Sequence, residues 1–159
     1  MNTRFAVATH MLAFLAYGAG QPVSSEVLAG SVGTHPVVVR RLVSTLRNAG
    51  LVRTQLGAGG GALLARPAAA ISLLDVFLAV QEPEPDLFAV GSTNPSTHCN
   101  LGRVMQHTLE NLLGSAEQAM RQALAAISLA QVMQQLAAQL PADCGCPPPA
   151  PQSAAFPPG

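Results

Sequence analysis

The sequence predicts a mainly α-helical fold, in which a winged helix-turn-helix with a two-stranded wing precedes a long C-terminal dimerisation helix. The first observation is the stretch from His35 to Pro67, where a helix ends sharply and a glycine-tipped hairpin follows. The second is a one-sided apolar pattern from Leu101 to Ile127, which is long enough for a helix of about 40 Å. The third is an alanine-rich aliphatic composition, with few strand-favouring segments outside the hairpin.

Two helices and a turn are predicted before the third helix. Thr3 to Tyr17 has helical spacing of its apolar residues, with a core stripe of Val7, Met11, Phe14 and Leu15. A short helix around Glu26 to Ala29 follows, capped by Ser24 or Ser25, and Gly30 to Gly33 forms the next turn. With the helix that follows, this order is the helix-turn-helix pattern.

The third helix begins at Pro36, whose missing N–H is not needed at the first helical position, so His35 or Thr34 is the N-cap. Gly50 stops it. One face is predicted to be buried because apolar residues recur at three- and four-residue spacing, namely Val39, Leu42, Val43 and Leu46. The polar residues Arg40, Arg41, Ser44 and Arg47 lie largely off that face.

The hairpin is predicted from two short apolar runs on either side of glycines. Leu51 to Leu56 is the first strand, Gly57 to Gly61 the turn, and Ala62 to Ala65 the second strand, which Pro67 ends. A helix followed at once by such a ribbon is typical of proteins that place the helix in the major groove of DNA and the hairpin beside it.

The C-terminal half contains two capping boxes. Ser72 and Asp75 start a helix that reaches about Val80, and Ser128 and Gln131 start another from Leu129 to Leu140. The predicted division is residues 1–82 for DNA binding, 83–100 as a loop, 101–140 as dimerisation helices and 141–159 as a disordered tail rich in Pro and Ala.

Charge and cysteine usage bound the function. Residues 1–66 contain six arginines and one acid, Glu26, whereas residues 67–159 contain two arginines and seven acids. This asymmetry favours a basic N-terminal part, the head, that binds phosphates, followed by an acidic part that does not. The three cysteines form no disulfide framework, no apolar run reaches the roughly 18 residues of a membrane span, and the N-terminal stretch is interpreted as a folded helix. A cytoplasmic protein without membrane contact is expected, and no catalytic or metal-binding constellation predicts an enzyme or a metal site.

The predicted DNA contacts lie on the third helix and the wing. Arg40 and Arg41 are the main candidates, because arginine can pair with guanine or with a phosphate; a merely solvated helix face is the alternative. His35 either contacts a phosphate or is only an N-cap. The wing glycines either allow close approach to DNA or only form a tight turn. The full predicted set is His35, Val37, Arg40, Arg41, Ser44, Arg53, Gly59, Gly60 and Arg66.

In order and spacing, the chain from Met1 to about Leu140 resembles the Rrf2 family of winged-helix transcriptional regulators. The segments that carry the resemblance are Val39–Val52, Gly57–Gly61, Leu64–Pro67 and Ile71–Val76. The resemblance implies a homodimer joined through the long helix, with the third helix in the major groove and the wing beside the minor groove. The chain departs from the family pattern at the wing. Family wings often carry an arginine just before the first wing glycine, and here that residue is Leu56, so Arg53 or Arg66 would have to make the phosphate contacts.

Many members of that family hold an iron–sulfur cluster with three cysteines in the loop before the dimer helix. This chain has only Cys99 there, and Cys144 and Cys146 lie beyond the helices, so no cofactor is expected. Cys99 is the candidate effector residue, either as a reactive thiol near His98 or as an incidental cysteine. His98, Cys99 and His107 are a partial metal site at most.

The leading hypothesis from the sequence is a homodimeric, sequence-specific DNA-binding regulator that represses transcription from a pseudo-palindromic operator in double-stranded DNA. The first alternative is a redox or metal sensor that signals through Cys99. The second is a winged-helix module that binds protein, against which the one-sided arginine distribution argues.

Overall fold

The computed structural model describes residues 3–18, 20–57, 59–81 and 100–140. These residues contain six α-helices and a two-stranded antiparallel sheet, which confirms the predicted mainly α-helical class with a two-stranded wing. The helices are α1 (Thr3–Tyr17), α2 (Ser25–Val32), α3 (Pro36–Asn48), α4 (Leu73–Val80), α5 (Asn100–Ala126) and α6 (Leu129–Ala137). The strands are β1 (Val52–Gln55) and β2 (Gly61–Leu64), and a 3-10 turn covers Ala68–Ala70.

The end of α3 is a Schellman motif built on Gly50. Gly50 has φ of +69°, a left-handed conformation that glycine adopts without a steric cost. Its N–H donates to Arg47 O at 2.9 Å, and the N–H of Leu51 donates to Leu46 O at 2.9 Å. Leu46 and Leu51 are both buried, so the turn that ends the helix also places the start of the hairpin against the core.

Both predicted capping boxes are present. The Ser72 hydroxyl accepts from the N–H of Asp75, whose carboxylate accepts from the N–H of Ser72. Ser128 and Gln131 make the same pair of bonds at the start of α6. α6 ends at Ala137, three residues before the predicted Leu140.

The two capping boxes are joined to each other, which the sequence did not predict. Ser72 and Ser128 form an isolated antiparallel bridge. The N–H of Leu73 donates to Ile127 O at 2.8 Å, and the N–H of Leu129 donates to Ile71 O at 2.8 Å. This bridge fixes the turn after α5 against the start of α4.

The core lies around α1, which contacts α2, α3, α4, α6 and β2. Its own buried residues are Ala8, Met11, Leu12, Ala13 and Leu15. Of the predicted stripe, Met11 and Leu15 are buried, while Val7 and Phe14 pack against the core and remain half-buried. Leu129 of α6 is fully buried in this cluster, so the chain returns to the N-terminal head after the long helix.

A second isolated bridge, also not predicted, joins Val23 to the wing. The N–H of Val23 donates to Ala62 O at 3.0 Å, and the N–H of Ala62 donates to Val23 O at 2.8 Å. Gly61 permits this approach, because a Cβ at Gly61 would lie 2.4 Å from Val23 O. Val23, two residues before α2, therefore holds β2 close to the wing turn.

The long helix α5 packs against α4 and leaves much of its apolar stripe exposed. The exposed fractions are 70% for Leu101, 60% for Val104, 48% for Met105 and 61% for Leu112. Its use as a dimerisation helix and the division of the chain into four segments stay predictions. The predicted loop at 83–100, apart from Asn100, and the predicted tail at 141–159 lie outside the described residues.

Candidate nucleic-acid interface

The candidate interface is the exposed face of α3, which the helix period separates from its buried face. Val39, Leu42, Val43 and Leu46 are all buried, as the sequence predicts. The opposite face exposes Val37, Arg40, Arg41, Ser44 and Arg47. Because the apolar face fixes the rotation of α3 about its axis, the polar face has one defined direction.

The turn that presents this face is defined by caps at both ends. The Ser24 hydroxyl accepts from the N–H of Val27 at the start of α2, and Gly33 ends α2 with φ of +72°. His35 is the N-cap of α3, since its Nδ1 accepts from the N–H of Val37 at 3.3 Å. The capping role of His35 is thus confirmed, and its contact with a phosphate stays a prediction.

The wing has the predicted antiparallel form, with Val52 opposite Leu64 and Gln55 opposite Gly61. Arg53 is exposed on β1, and Leu56 at the end of that strand is 93% exposed. The structure therefore places an apolar side chain at the wing tip and a cation closer to its base. Contact of Arg53 with DNA stays a prediction.

The wing glycines have internal reasons for being glycine. Gly59 has φ of +80°, and a Cβ at Gly60 would lie 2.3 Å from Gln55 O. The close approach at Gly60 is therefore made to the backbone of the wing itself, which supports the tight-turn interpretation. Approach of DNA to Gly59 and Gly60 stays a prediction.

Arg66 differs from the other candidate arginines because it is partly buried. Its Nη2 lies 3.9 Å from the Asp75 carboxylate, and its Nε is buried with no hydrogen-bond partner among the described atoms. The side chain is 39% exposed. Arg66 thus links the end of the wing to the capping box of α4, and its predicted phosphate contact stays untested.

Arg40 carries the closest contact on the α3 face. Its Nη2 donates to Glu26 Oε1 on α2 at 2.5 Å, and both side chains are about 60% exposed. The N–H of Glu26 itself, the Arg40 guanidinium and the Ser24 hydroxyl lower the pKa of Glu26. The Glu26 carboxylate is thus ionised at neutral pH. No local pattern in the sequence predicts this contact, since fourteen residues separate the partners.

Val38, on the exposed side of α3, is not among the DNA contacts predicted from the sequence. It is 43% exposed, the same fraction as its neighbour Val37. The helical period does place it off the buried stripe, so the signal was present. Two adjacent valines give the N-terminal turn of α3 an exposed apolar surface, and contact of Val37 with DNA stays a prediction.

The structure describes neither Cys99 nor His98, Cys144 and Cys146, so their predicted roles lie outside the described residues. Among the residues that are described, no three His, Cys, Asp or Glu side chains form a group that suits a metal ion. In the same residues, no helix is both long and apolar enough to cross a membrane.

Comparison with known proteins decides the family. The family model described as Rrf2, iron-dependent transcriptional regulator, matches residues 1–135. The chain belongs to the Rrf2 family. It is similar to YwnA of Bacillus subtilis (strain 168), provisionally named an HTH-type transcriptional regulator, with 42% identity over 136 residues, which cover 86% of this chain and 98% of YwnA.

Two solved structures are similar to the Rrf2-family chain. A crystal structure of a protein provisionally described as DNA-binding is 39% identical, with a TM-score of 0.67 over 82% of this chain and 98% of that one. CymR (YrzC), the global cysteine regulator of Bacillus subtilis, is 23% identical, with a TM-score of 0.65 over 85% of this chain and 96% of that one. The second likeness shows the fold alone.

These relatives make the chain a DNA-binding transcriptional regulator and not an enzyme, as the sequence predicted. Because the family is described as iron-dependent, the ligands available for iron have to be considered. In members that bind an iron–sulfur cluster, three cysteines of the loop before the long helix hold it. Between Gln81 and Asn100 this chain has a single cysteine, Cys99. The residues present do not fit a cluster held by three loop cysteines.

Proposed function

We propose that this Rrf2-family chain is a homodimeric repressor that binds a pseudo-palindromic operator through α3 and the wing, without an iron–sulfur cluster. The carrying observation is the exposed α3 face, where Arg40, Arg41 and Ser44 lie on a helix whose other face is fixed in the core. The adjacent wing adds Arg53. Arginine side chains on a helix that fits the major groove supply both base and phosphate contacts.

The exposed apolar side of α5 supports dimerisation. A contiguous row of exposed large apolar residues on one helix favours an interface with another chain. The row begins at Leu101 and includes Val104, Met105 and Leu112. A two-fold dimer through α5 would present two α3 helices to half-sites about one helical turn apart, or a multiple of that distance.

Repression follows if the operator overlaps a promoter, because a dimer in the major groove excludes polymerase from the same DNA. The relatives are bacterial proteins, so the cytoplasm is the proposed location. The alternative of a protein-binding module has less support, because the arginines cluster in residues 1–66.

The direct test of the proposed function is fluorescence anisotropy with DNA from upstream of the chain's own gene and with a scrambled duplex. We expect tight binding to the upstream DNA, weakened by salt, and weak binding to the scrambled duplex. The double variant Arg40→Ala/Arg41→Ala should lose the specific binding and keep the fold. Arg121→Ala on α5, which also removes an arginine, is the matched control. Specific binding that survives in a folded double variant contradicts the docking through α3.

Dimerisation has its own test by light scattering after size-exclusion chromatography. Leu112→Glu places a charge within the exposed apolar row, and we expect it to produce monomers. Gln118→Glu places the same charge on an exposed residue of α5 about 100° around the helix from the middle of that row, and should leave the dimer intact. A Leu112→Glu protein that remains dimeric rules out this surface as the interface.

A further inference from the structure

The Glu26–Arg40 pair joins the two helices of the helix-turn-helix on their exposed side. Nη2 of Arg40 and Oε1 of Glu26 are 2.5 Å apart, and the side chains are 59% and 61% exposed. Such an exposed pair contributes little to stability, because solvent screens it and two long side chains must be ordered. The position of the pair beside the predicted DNA contacts therefore points to a role in DNA recognition and not in stability.

The contact fixes the direction of a long side chain. A free arginine has many rotamers, and DNA binding has to order it at a cost in entropy. Glu26 holds the guanidinium before DNA arrives and uses one N–H of Nη2, which leaves four of the five N–H donors for a ligand. Two of those donors on one edge match O6 and N7 of guanine.

The contact also changes which ligand Arg40 prefers. Glu26 is ionised, since the N–H of its own backbone, Arg40 and Ser24 all stabilise the carboxylate. A negative charge beside the guanidinium offsets the attraction for a phosphate and repels a phosphate that comes near. The uncharged edge of a base meets no such repulsion, so the pair favours a base over the DNA backbone. Arg41 has no ionic partner among the described residues and lacks this restriction.

We propose that Glu26 is a positioning residue for base recognition, which holds Arg40 so that its guanidinium pairs with a guanine in each half-site. The inference rests on the proposed function, in that it assigns α3 to the major groove. Glu26 then determines specificity, and its removal should relax the requirement for that guanine while non-specific binding becomes stronger.

The test is selection of bound sequences from a random duplex library, followed by sequencing, with the full-length protein. The wild type defines the operator, and Arg40→Ala identifies the base pair that Arg40 reads. Glu26→Ala removes the carboxylate, and Glu26→Gln keeps an acceptor oxygen but removes the charge. Glu117→Gln is the control, because it breaks an ion pair of similar length, Glu117 to Arg121 at 2.6 Å, on α5.

We expect Arg40→Ala and Glu26→Ala to lose the same guanine preference, by about fivefold or more, the lower end for a bidentate arginine–guanine contact. Glu26→Gln should give an intermediate loss. Affinity for a scrambled duplex should rise in both Glu26 variants. Glu117→Gln should keep the wild-type preference at every position. A purely structural role of Glu26 would change affinity for all sequences and no single position.

Three results overturn the proposal. Glu26 variants that retain the preference lost in Arg40→Ala show that Glu26 does not position the reader. An Arg40→Ala protein that keeps every base preference shows that Arg40 reads no base, although the regulator still binds DNA. A wild-type protein that enriches no sequence overturns the proposed function itself. Circular dichroism and urea unfolding of each variant exclude loss of the fold as the cause.

Discussion

Replacing Gly61 with alanine tests the attachment of the wing to the head. A Cβ at this position would lie 2.4 Å from the carbonyl oxygen of Val23, 2.5 Å from its carbonyl carbon and 2.8 Å from its nitrogen. Ordinary contacts of this kind are 3.4–4 Å long. The backbone at Val23 must therefore move by about 1 Å, which breaks the two hydrogen bonds between Val23 and Ala62, of 3.0 and 2.8 Å.

The expected cost follows from those two bonds. Each backbone hydrogen bond contributes about 1 kcal/mol net, so Gly61→Ala should lower the free energy of unfolding by about 2 kcal/mol. Val23 is 9% exposed and belongs to the core cluster. Its displacement adds a loss of apolar burial, which brings the expected total to about 2–3 kcal/mol.

Two other glycines are matched controls for the same substitution. Gly30 lies inside α2 with no atom near its virtual Cβ, so Gly30→Ala should stabilise by about 0.5–1 kcal/mol through helix propensity. Gly59 also has open space but a φ of +80°, so Gly59→Ala should cost about 1 kcal/mol. The predicted order of stability is Gly30→Ala, wild type, Gly59→Ala and Gly61→Ala.

The measurement is urea unfolding followed by circular dichroism, at one protomer concentration because dimerisation would couple to unfolding. If Gly61→Ala is as stable as the wild type, then the steric reasoning about Val23 is wrong. A Gly61→Ala protein that matches Gly59→Ala would mean that the backbone relaxes without breaking the bridge.

Three further predictions use other parts of the fold. Leu129→Ala should cost about 2–5 kcal/mol in urea unfolding because Leu129 is fully buried, whereas Leu136→Ala, at a residue 42% exposed, should stay within about 0.5 kcal/mol; similar losses would show that α6 does not complete the core. Ser72→Ala should cost about 1 kcal/mol by removing the cap of α4, and an unchanged unfolding midpoint would contradict that role. Arg53→Ala should reduce the salt slope of DNA binding by about 0.9 for each copy, measured by anisotropy titrations at several salt concentrations, and an unchanged slope means no phosphate contact.

Much of the fold was predictable because its signals are local. The extent of α1, the stop at Gly50 and both capping boxes depend on residues within one or two helical turns, and each lies where the sequence placed it. The buried and exposed faces of α3 follow from the helical period alone. These features need no knowledge of the rest of the chain.

The contacts at the candidate interface were less accessible. Arg40 stood out as a cation off the buried stripe, but nothing near it in sequence pointed to Glu26. The same holds for Val23 and the wing, and for Arg66 and Asp75. In each case the partners are nine or more residues apart, so they meet only after the helices pack.

The sequence by itself determined the order of the elements, the exposed arginines of α3 and the family, because periodicity, caps and glycine turns act over a few residues. The tertiary structure decided which groups those residues meet. Packing of α2 against α3 brings Glu26 to Arg40, and closure of the wing on Val23 requires a glycine at position 61. Such contacts depend on the relative placement of whole helices, which apolar burial around α1 fixes and no local pattern encodes.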